Sequence, residues 1–383
     1  MDEPVQRNIV VSAVNLRKGG TLTVLQDCLR YLSGRKDLHV TALVHKRELC
    51  GFPGIQYIEI PWSTKGWLKR LWCEYVTMHR ISRTLPETDL WLSLHDTTPR
   101  VKARRQAVYC HTSFPFMKIR LQDFRMDAKI PLFALFTKYA YRTFSRRNAF
   151  MVVQSVWMRE ALSSLIGFDK ERIIVAPPAF RPIEIPGGSS RLGGDSRSEP
   201  GMTKKELGMT TFIYPSTPDC HKNFETLLEA ARILEARVGK DRFRVVITVR
   251  GDENRYARWL RKRWGDVASV EFRGLLSREE LARAYAGAAC LVFPSRAETW
   301  GLPISEFLPT GKPMILADRP YAHETAAGAA QVAFSPVTDA EALAGRMQDV
   351  LEGKREAFGP VELEAPSPPY APDWTALFDC LLS

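Results

Sequence analysis

The chain of 383 residues lacks the cysteine patterns that staple or metallate small folds. Its seven cysteines, Cys28, Cys50, Cys73, Cys110, Cys220, Cys290 and Cys380, contain no CxxC pair, and their number is odd. The pattern fits a reduced, cytoplasmic setting better than a disulfide framework or a cysteine-based zinc site. No apolar run is long enough to span a bilayer; the run around Ile130–Phe136 stops at Lys138. Asp2 and Glu3 stand where a secretory leader carries positive charge, so no signal peptide is expected. Internal repeats are absent, as are zinc-finger, RRM and KH patterns, so no nucleic-acid partner is expected. There is also no DxD-type carboxylate pair in a suitable loop and no His/Cys cluster, so no metal and no cofactor are expected.

What is present is enough apolar material for two cores, 45% hydrophobic residues in a chain long enough for two domains. The net charge of +11 is concentrated. Between Arg100 and Arg147 stand twelve basic residues, opposed only by Asp123 and Asp127. A surface that basic attracts phosphates.

The order of elements is that of α/β units. Ile9–Val14 is a β-branched run ending in Asn15-Leu16-Arg17-Lys18-Gly19-Gly20, and Thr21 then opens a helix with Leu22, Leu25, Leu29 and Leu32 on one face. Strands follow at His39–Val44, Gln56–Ile60, Asp89–Leu94, Gln106–His111 and Ala149–Gln154. Several are continuous rather than alternating apolar runs, which predicts a parallel sheet covered on both faces. After the Gly/Ser/Pro-rich stretch Pro186–Thr203 the alternation restarts at Thr211–Tyr214. The expected partition is residues 1–182, a connection at 183–205, a second domain at 206–358, and a proline-rich tail with a last helix at 359–383.

The most informative stretch runs from Pro294 to Glu306. It follows an apolar strand, places Glu298 and Glu306 eight positions apart with Gly301 between them, and opens a helix. Carboxylates at the carboxyl edge of a parallel sheet grip sugar hydroxyls as multiple acceptors. The wording SRAETWGLPISEF, with its E-x7-E spacing, resembles the donor site of the family 4 glycosyltransferases. Gly19-Gly20, Tyr109-Cys110-His111, Gln154-Ser155 and Lys222 fall in the matching order, and the resemblance spans about residues 9–345.

The resemblance implies the GT-B fold: α/β, with two Rossmann-like doubly wound domains facing across a cleft. It implies retaining, metal-independent transfer of a sugar from a nucleotide-diphosphate donor. Glu306 is expected to hold the donor ribose, and Glu298 to meet the sugar. Lys222 is expected to neutralise the diphosphate, with Thr299 and the Trp300, Gly301 and Leu302 amides around sugar and phosphate. His111 is expected near the reacting face, with Gly19, Gly20 and His95 toward acceptor or phosphate. The family places an arginine a few positions before the lysine. Here Ser216 or Thr217 stands there, and Arg250 is the candidate substitute.

Two aromatic and basic segments suit an anionic membrane surface carrying a glycan or lipid-linked acceptor. In one, Trp67, Leu68, Leu71, Trp72 and Tyr75 stand beside Lys65, Lys69 and Arg70. In the other, Phe133, Phe136, Tyr139, Tyr141 and Phe144 interleave with Lys138, Arg142 and Arg146. The expectation is a cytoplasmic protein, peripheral on the inner face of the cell membrane. A catalytically silent scaffold of the same fold is the alternative, and the missing arginine is what favours it.

Overall fold

The computed structural model describes residues 6–178, 183–184 and 209–383. All but two residues of the expected connection at 183–205 lie outside the described residues. The chain forms two compact units.

The first unit is built on seven parallel strands: β1 (Arg7–Ala13), β2 (Leu38–Val44), β3 (Ile55–Glu59), β4 (Leu90–Ser93), β5 (Arg105–Cys110), β6 (Phe150–Val153) and β7 (Ile173–Val175), in the spatial order β3-β2-β1-β4-β5-β6-β7. β1 pairs with β2 from Arg7↔Leu38 to Ala13↔Val44. It pairs with β4 on its other side. Ile9–Ala13 are buried without alternation, as a sheet covered on both faces requires. The helix Gly19–Ser33 buries Val24, Leu25, Cys28, Leu29 and Leu32 on its sheet-facing stripe.

The second unit carries six parallel strands: β8 (Thr210–Tyr214), β9 (Phe243–Ile247), β10 (Val270–Phe272), β11 (Cys290–Phe293), β12 (Met314–Ala317) and β13 (Val332–Ser335), in the order β10-β9-β8-β11-β12-β13. Its helices start where the sequence provides caps. Ser277 accepts from the Glu280 amide while the Glu280 carboxylate accepts from the Ser277 amide. Asn254 caps the helix Arg255–Trp264 through the Ala257 amide.

In each sheet the winding direction reverses between two neighbours, β1 and β4 in the first, β8 and β11 in the second. Loops leaving the carboxyl ends of such a pair diverge and leave a crevice, the usual ligand position in doubly wound sheets. Asn15–Gly20 and the loop after Ser93 flank the first reversal; residues 215–222 and 294–301 flank the second.

The partition differs from the expected one in two places. Met117–Leu132 belongs to the second unit, and Ala365–Ser383 returns to the first. The tail is held by real chemistry. Ala371 donates to the Val175 carbonyl at 2.8 Å, and Arg159 donates to the Ser367 carbonyl at 2.9 Å. The final helix Trp374–Leu382 is capped by Asp373, and it buries Leu377, Phe378 and Leu381 in the first unit's core, with Phe378 stacked on Tyr31 at 5.5 Å. Apolar residues at helical spacing need a face to cover, and the sequence alone does not say whose.

Candidate active site

The reversal point of the second unit brings two loops into register. After β8 the chain turns through Cys220–Lys222, and Asn223 then adopts the left-handed conformation, φ 60°, before the helix Phe224–Val238. Asn is among the few side chains that tolerate this backbone. Its buried amide donates to the Pro294 and Val337 carbonyls at 3.0 and 2.7 Å, and its oxygen accepts from Thr226. After β11 the Ser295 hydroxyl and the Arg296 amide both donate to the His221 carbonyl, at 3.3 and 2.8 Å. Tyr214 reaches across to the Lys222 carbonyl at 2.7 Å.

These bonds set the distance between the two expected site residues. The Lys222 ammonium donates to Glu298 Oε1 at 2.6 Å, with both side chains largely enclosed, 15% and 13% exposed. An ammonium has three protons, and this bond uses one, so an anion arriving at the crevice can share the same amine.

Glu306 lies on the short helix Leu302–Phe307 that opens at Gly301. Its carboxylate accepts from the Tyr285 hydroxyl at 3.0 Å, and burial pushes its pKa up. The loop itself is tight. Gly301 has φ 99°, and a Cβ there would meet the Ile304 side chain at 3.2 Å. Thr325 donates to the Trp300 carbonyl, and the Trp300 indole donates to Ser305 at 2.9 Å. The Trp300 ring is thereby fixed along the helix that carries Glu306. Thr299 and Leu302 are half-buried beside it.

The charge expected to stand in for the arginine that the resemblance calls for is not gathered here. Arg250 is 69% exposed and donates to Asp252 at 2.8 Å. Ser216 is held through its backbone, donating to Thr248 Oγ1 at 2.8 Å and accepting from it at 2.9 Å.

A different arginine, missed from sequence, supports the site. Arg296 stands two residues before Glu298. Its guanidinium is buried and donates to both Asp123 carboxylate oxygens, at 3.1 and 2.6 Å, and to the Cys220 carbonyl at 3.1 Å. It thus ties the 294–301 loop to the Cys220–Lys222 turn and to the helix Leu121–Met126. Asp123 is 0% exposed, so removing it strands a buried cation. Asp123→Ala is expected to cost about 3–5 kcal/mol of stability, read as a fall in denaturation midpoint. An unchanged midpoint would show that Arg296 finds solvent.

In the first unit, His111 follows β5. Its ring lies on that of Tyr109 at 4.4 Å, and its two buried nitrogens have no partner of good geometry. Its amide donates to Asp96 Oδ1 at 2.5 Å. Burial pushes its pKa down, with Asp96 opposing. Buried nitrogens that are poorly bonded cost stability, so a ligand hydroxyl there has something to satisfy.

His95 is placed differently from expectation. It is fully enclosed, 3.0 Å from Ser12 Oγ, 3.1 Å from Ser93 Oγ and 3.0 Å from Thr97 Oγ1, with Glu74 at 3.5 Å. A saturated buried imidazole braces the loop after β4 rather than meeting an acceptor. Gly19 and Gly20 are exposed at the start of the first helix, Gly19 with φ 64°. Lys18, rather than Thr21, occupies the cap position, with no side-chain cap bond.

Burial lowers the His95 pKa from 6.5 to about 4. A depressed pKa means that the unfolded chain takes up the proton first. Its stabilisation is therefore full above pH 6.5 and is lost as pH falls toward 4, on the order of 3 kcal/mol. Thermal melts over this interval are expected to drop, and His95→Gln to flatten the dependence. Identical pH profiles for the two proteins would contradict it.

Residues 199–361 match the family model described as glycosyl transferases group 1, a stretch that holds Lys222, Arg296, Glu298, Gly301 and Glu306. Solved structures match nearly the whole chain. Sucrose-phosphate synthase from Thermosynechococcus elongatus is 16% identical over 91% of this chain and 90% of its own, TM-score 0.61. Anabaena HepE in complex with UDP-glucose is 15% identical over 91% of both, TM-score 0.62. WaaG, a glycosyltransferase involved in lipopolysaccharide biosynthesis, is 15% identical over 91% of this chain and 92% of its own, TM-score 0.60. The fold is GT-B. No curated protein matches the sequence significantly. The group 1 stretch of this GT-B chain lies within the second unit, which holds the lysine and the two glutamates.

Proposed function

We propose that the chain is a retaining glycosyltransferase that moves a hexose-type sugar from a nucleotide-diphosphate donor to a hydroxyl of a lipid-linked or polysaccharide acceptor. The observation that carries this reading is the Lys222–Glu298 contact at the strand-order reversal, inside the group 1 match. In this reading the diphosphate replaces Glu298 as the main partner of the Lys222 ammonium, and Glu298 is released toward the sugar. As the anomeric carbon–phosphate oxygen bond breaks, negative charge grows on the leaving oxygen. A preset cation is worth most at that point. The acceptor oxygen bonds to the anomeric carbon from the same face and gives its proton to the leaving phosphate. The Lys222 ammonium supplies the positive charge without a bound metal. Glu306 holds the ribose, the amides of Trp300, Gly301 and Leu302 lie along sugar and phosphate, and Thr299 stands beside them. His111 lines the reacting face, and Gly19 and Gly20 leave room for the acceptor.

HepE is bound to UDP-glucose, and WaaG acts in lipopolysaccharide biosynthesis; both support a sugar nucleotide and a surface glycan as substrates here. No described helix is long and apolar enough to cross a membrane. The protein nevertheless exposes Trp67, Leu68, Leu71, Trp72, Leu135, Phe136 and Tyr139, with Trp67 against Phe133 at 5.5 Å joining the two aromatic segments. Exposed aromatics among lysines and arginines support peripheral attachment to an anionic leaflet.

The test is thermal-shift screening with GDP-, UDP- and dTDP-sugars, followed by release of nucleoside diphosphate with and without acceptor glycan. Stabilisation by one donor and its turnover support the proposal. Binding without turnover favours the silent scaffold, and no binding overturns both.

A further inference from the structure

Away from the site just described, the first unit holds a cavity of about 550 Å3 lined by His79, Arg83, Arg100, Lys102, Gln106 and Arg147. Among the described residues no acidic side chain lines it. Its position is the opposite edge of the sheet from the reversal-point loops, beside the starts of β5 and β6. None of Arg83, Arg100, Lys102 and Arg147 makes an ion pair with a described carboxylate, and the buried Nδ1 of His79 has no partner. Neighbouring cations show that this is not how the region treats its charges. Arg104 is paired with Glu87 and Asp89. Arg105 is bonded to the Leu381 and Ser383 carbonyls. Four exposed cations lining one concavity raise the local positive potential, which draws an anion in.

The two stretches that carry the exposed aromatics also lead to the cavity. Trp67 meets Phe133, and Tyr75 meets Phe144 at 5.6 Å, so the stretches 67–84 and 133–147 run side by side in the same direction. Their trailing ends bring Arg83 and Arg147 to the cavity, with Arg147 over the Phe144 ring at 5.6 Å.

We propose that this cavity is a binding site for a phosphate-bearing anion, separate from the donor-sugar site. Guanidinium groups hold phosphate oxygens in pairs, and the Lys102 ammonium adds a mobile third contact. The phosphate comes either from a lipid head group beneath the aromatic surface or from a soluble phosphate compound.

The experiment uses the full chain with Lys222→Ala, so that the donor-side amine does not hold the probe, and compares it with the same chain also carrying Arg83→Ala and Arg147→Ala. A control loses the same charge at the exposed Lys240 and Lys262. Inorganic pyrophosphate is titrated calorimetrically, and sedimentation is measured with vesicles of phosphatidylcholine alone or containing phosphatidate. The paired arginine variant is expected to lose about tenfold or more in affinity for one probe, while the control keeps it. Loss for pyrophosphate assigns a soluble ligand; loss for phosphatidate vesicles alone assigns a lipid head group. Equal binding of arginine variant and control to both probes overturns the proposal. Thermal melts confirm folding, which these exposed side chains should not disturb.

Discussion

Replacing Lys222 by alanine is expected to lower turnover by about 10²–10³-fold, with little change in thermal stability. The magnitude follows from what the amine does in the proposed reaction. It faces an oxygen that gains charge as the sugar departs, in a largely enclosed crevice where the ammonium needs no reorganisation. The structure also dictates a companion result. Without the amine, Glu298 loses its 2.6 Å partner, and its charge then repels the donor diphosphate. Donor affinity should therefore fall together with turnover. Glu298→Gln in the same chain should restore part of the binding but not the turnover. Single-turnover measurements alongside donor titration separate the two effects. Wild-type turnover in Lys222→Ala would remove the central residue of the reading.

Glu306→Gln is expected to weaken donor binding by about 10–100-fold while leaving the fold as stable as before, or more so. Burial raises the Glu306 pKa, so the folded protein holds that proton more tightly than the unfolded chain does. A raised acid favours folding at low pH, and this advantage is lost as pH rises through the folded-state value. At neutral pH the ionised carboxylate is thus a destabilising feature of the empty protein. Glutamine removes that cost and still accepts from the Tyr285 hydroxyl. What it cannot supply is a charged acceptor for the ribose hydroxyls. A melting temperature that rises while donor affinity falls is the signature of a group kept for binding; affinity unchanged in Glu306→Gln would place the ribose elsewhere.

Much of the candidate site was legible because it rests on local order. Pro294–Glu306 follows an apolar strand and announces a loop and a helix within thirteen residues, and Lys222 stands directly before a helix pattern. Parallel sheets make such strand-to-helix loops converge, so naming the loops came close to naming the crevice. Arg296 was hidden in plain view. A charged residue in a loop reads as solvated, and its partner Asp123 is 173 positions away, inside the most basic stretch of the chain. His95 misled for the mirror-image reason. A histidine at a strand end looks available, until Ser12 of β1, Ser93 of β4 and Thr97 of the following loop close around it.

The sequence by itself determined two α/β units, their strands, and the loops that carry Lys222, Glu298 and Glu306, because apolar periodicity and turn residues act over a few positions. The tertiary structure alone decided which unit covers the final helix and which buried carboxylate holds Arg296. It also decided that unpaired cations from three separate stretches of the first unit share one cavity. Those outcomes depend on which surfaces meet after the chain has closed loops of tens to hundreds of residues. No local pattern encodes the partner waiting at the far end of such a loop.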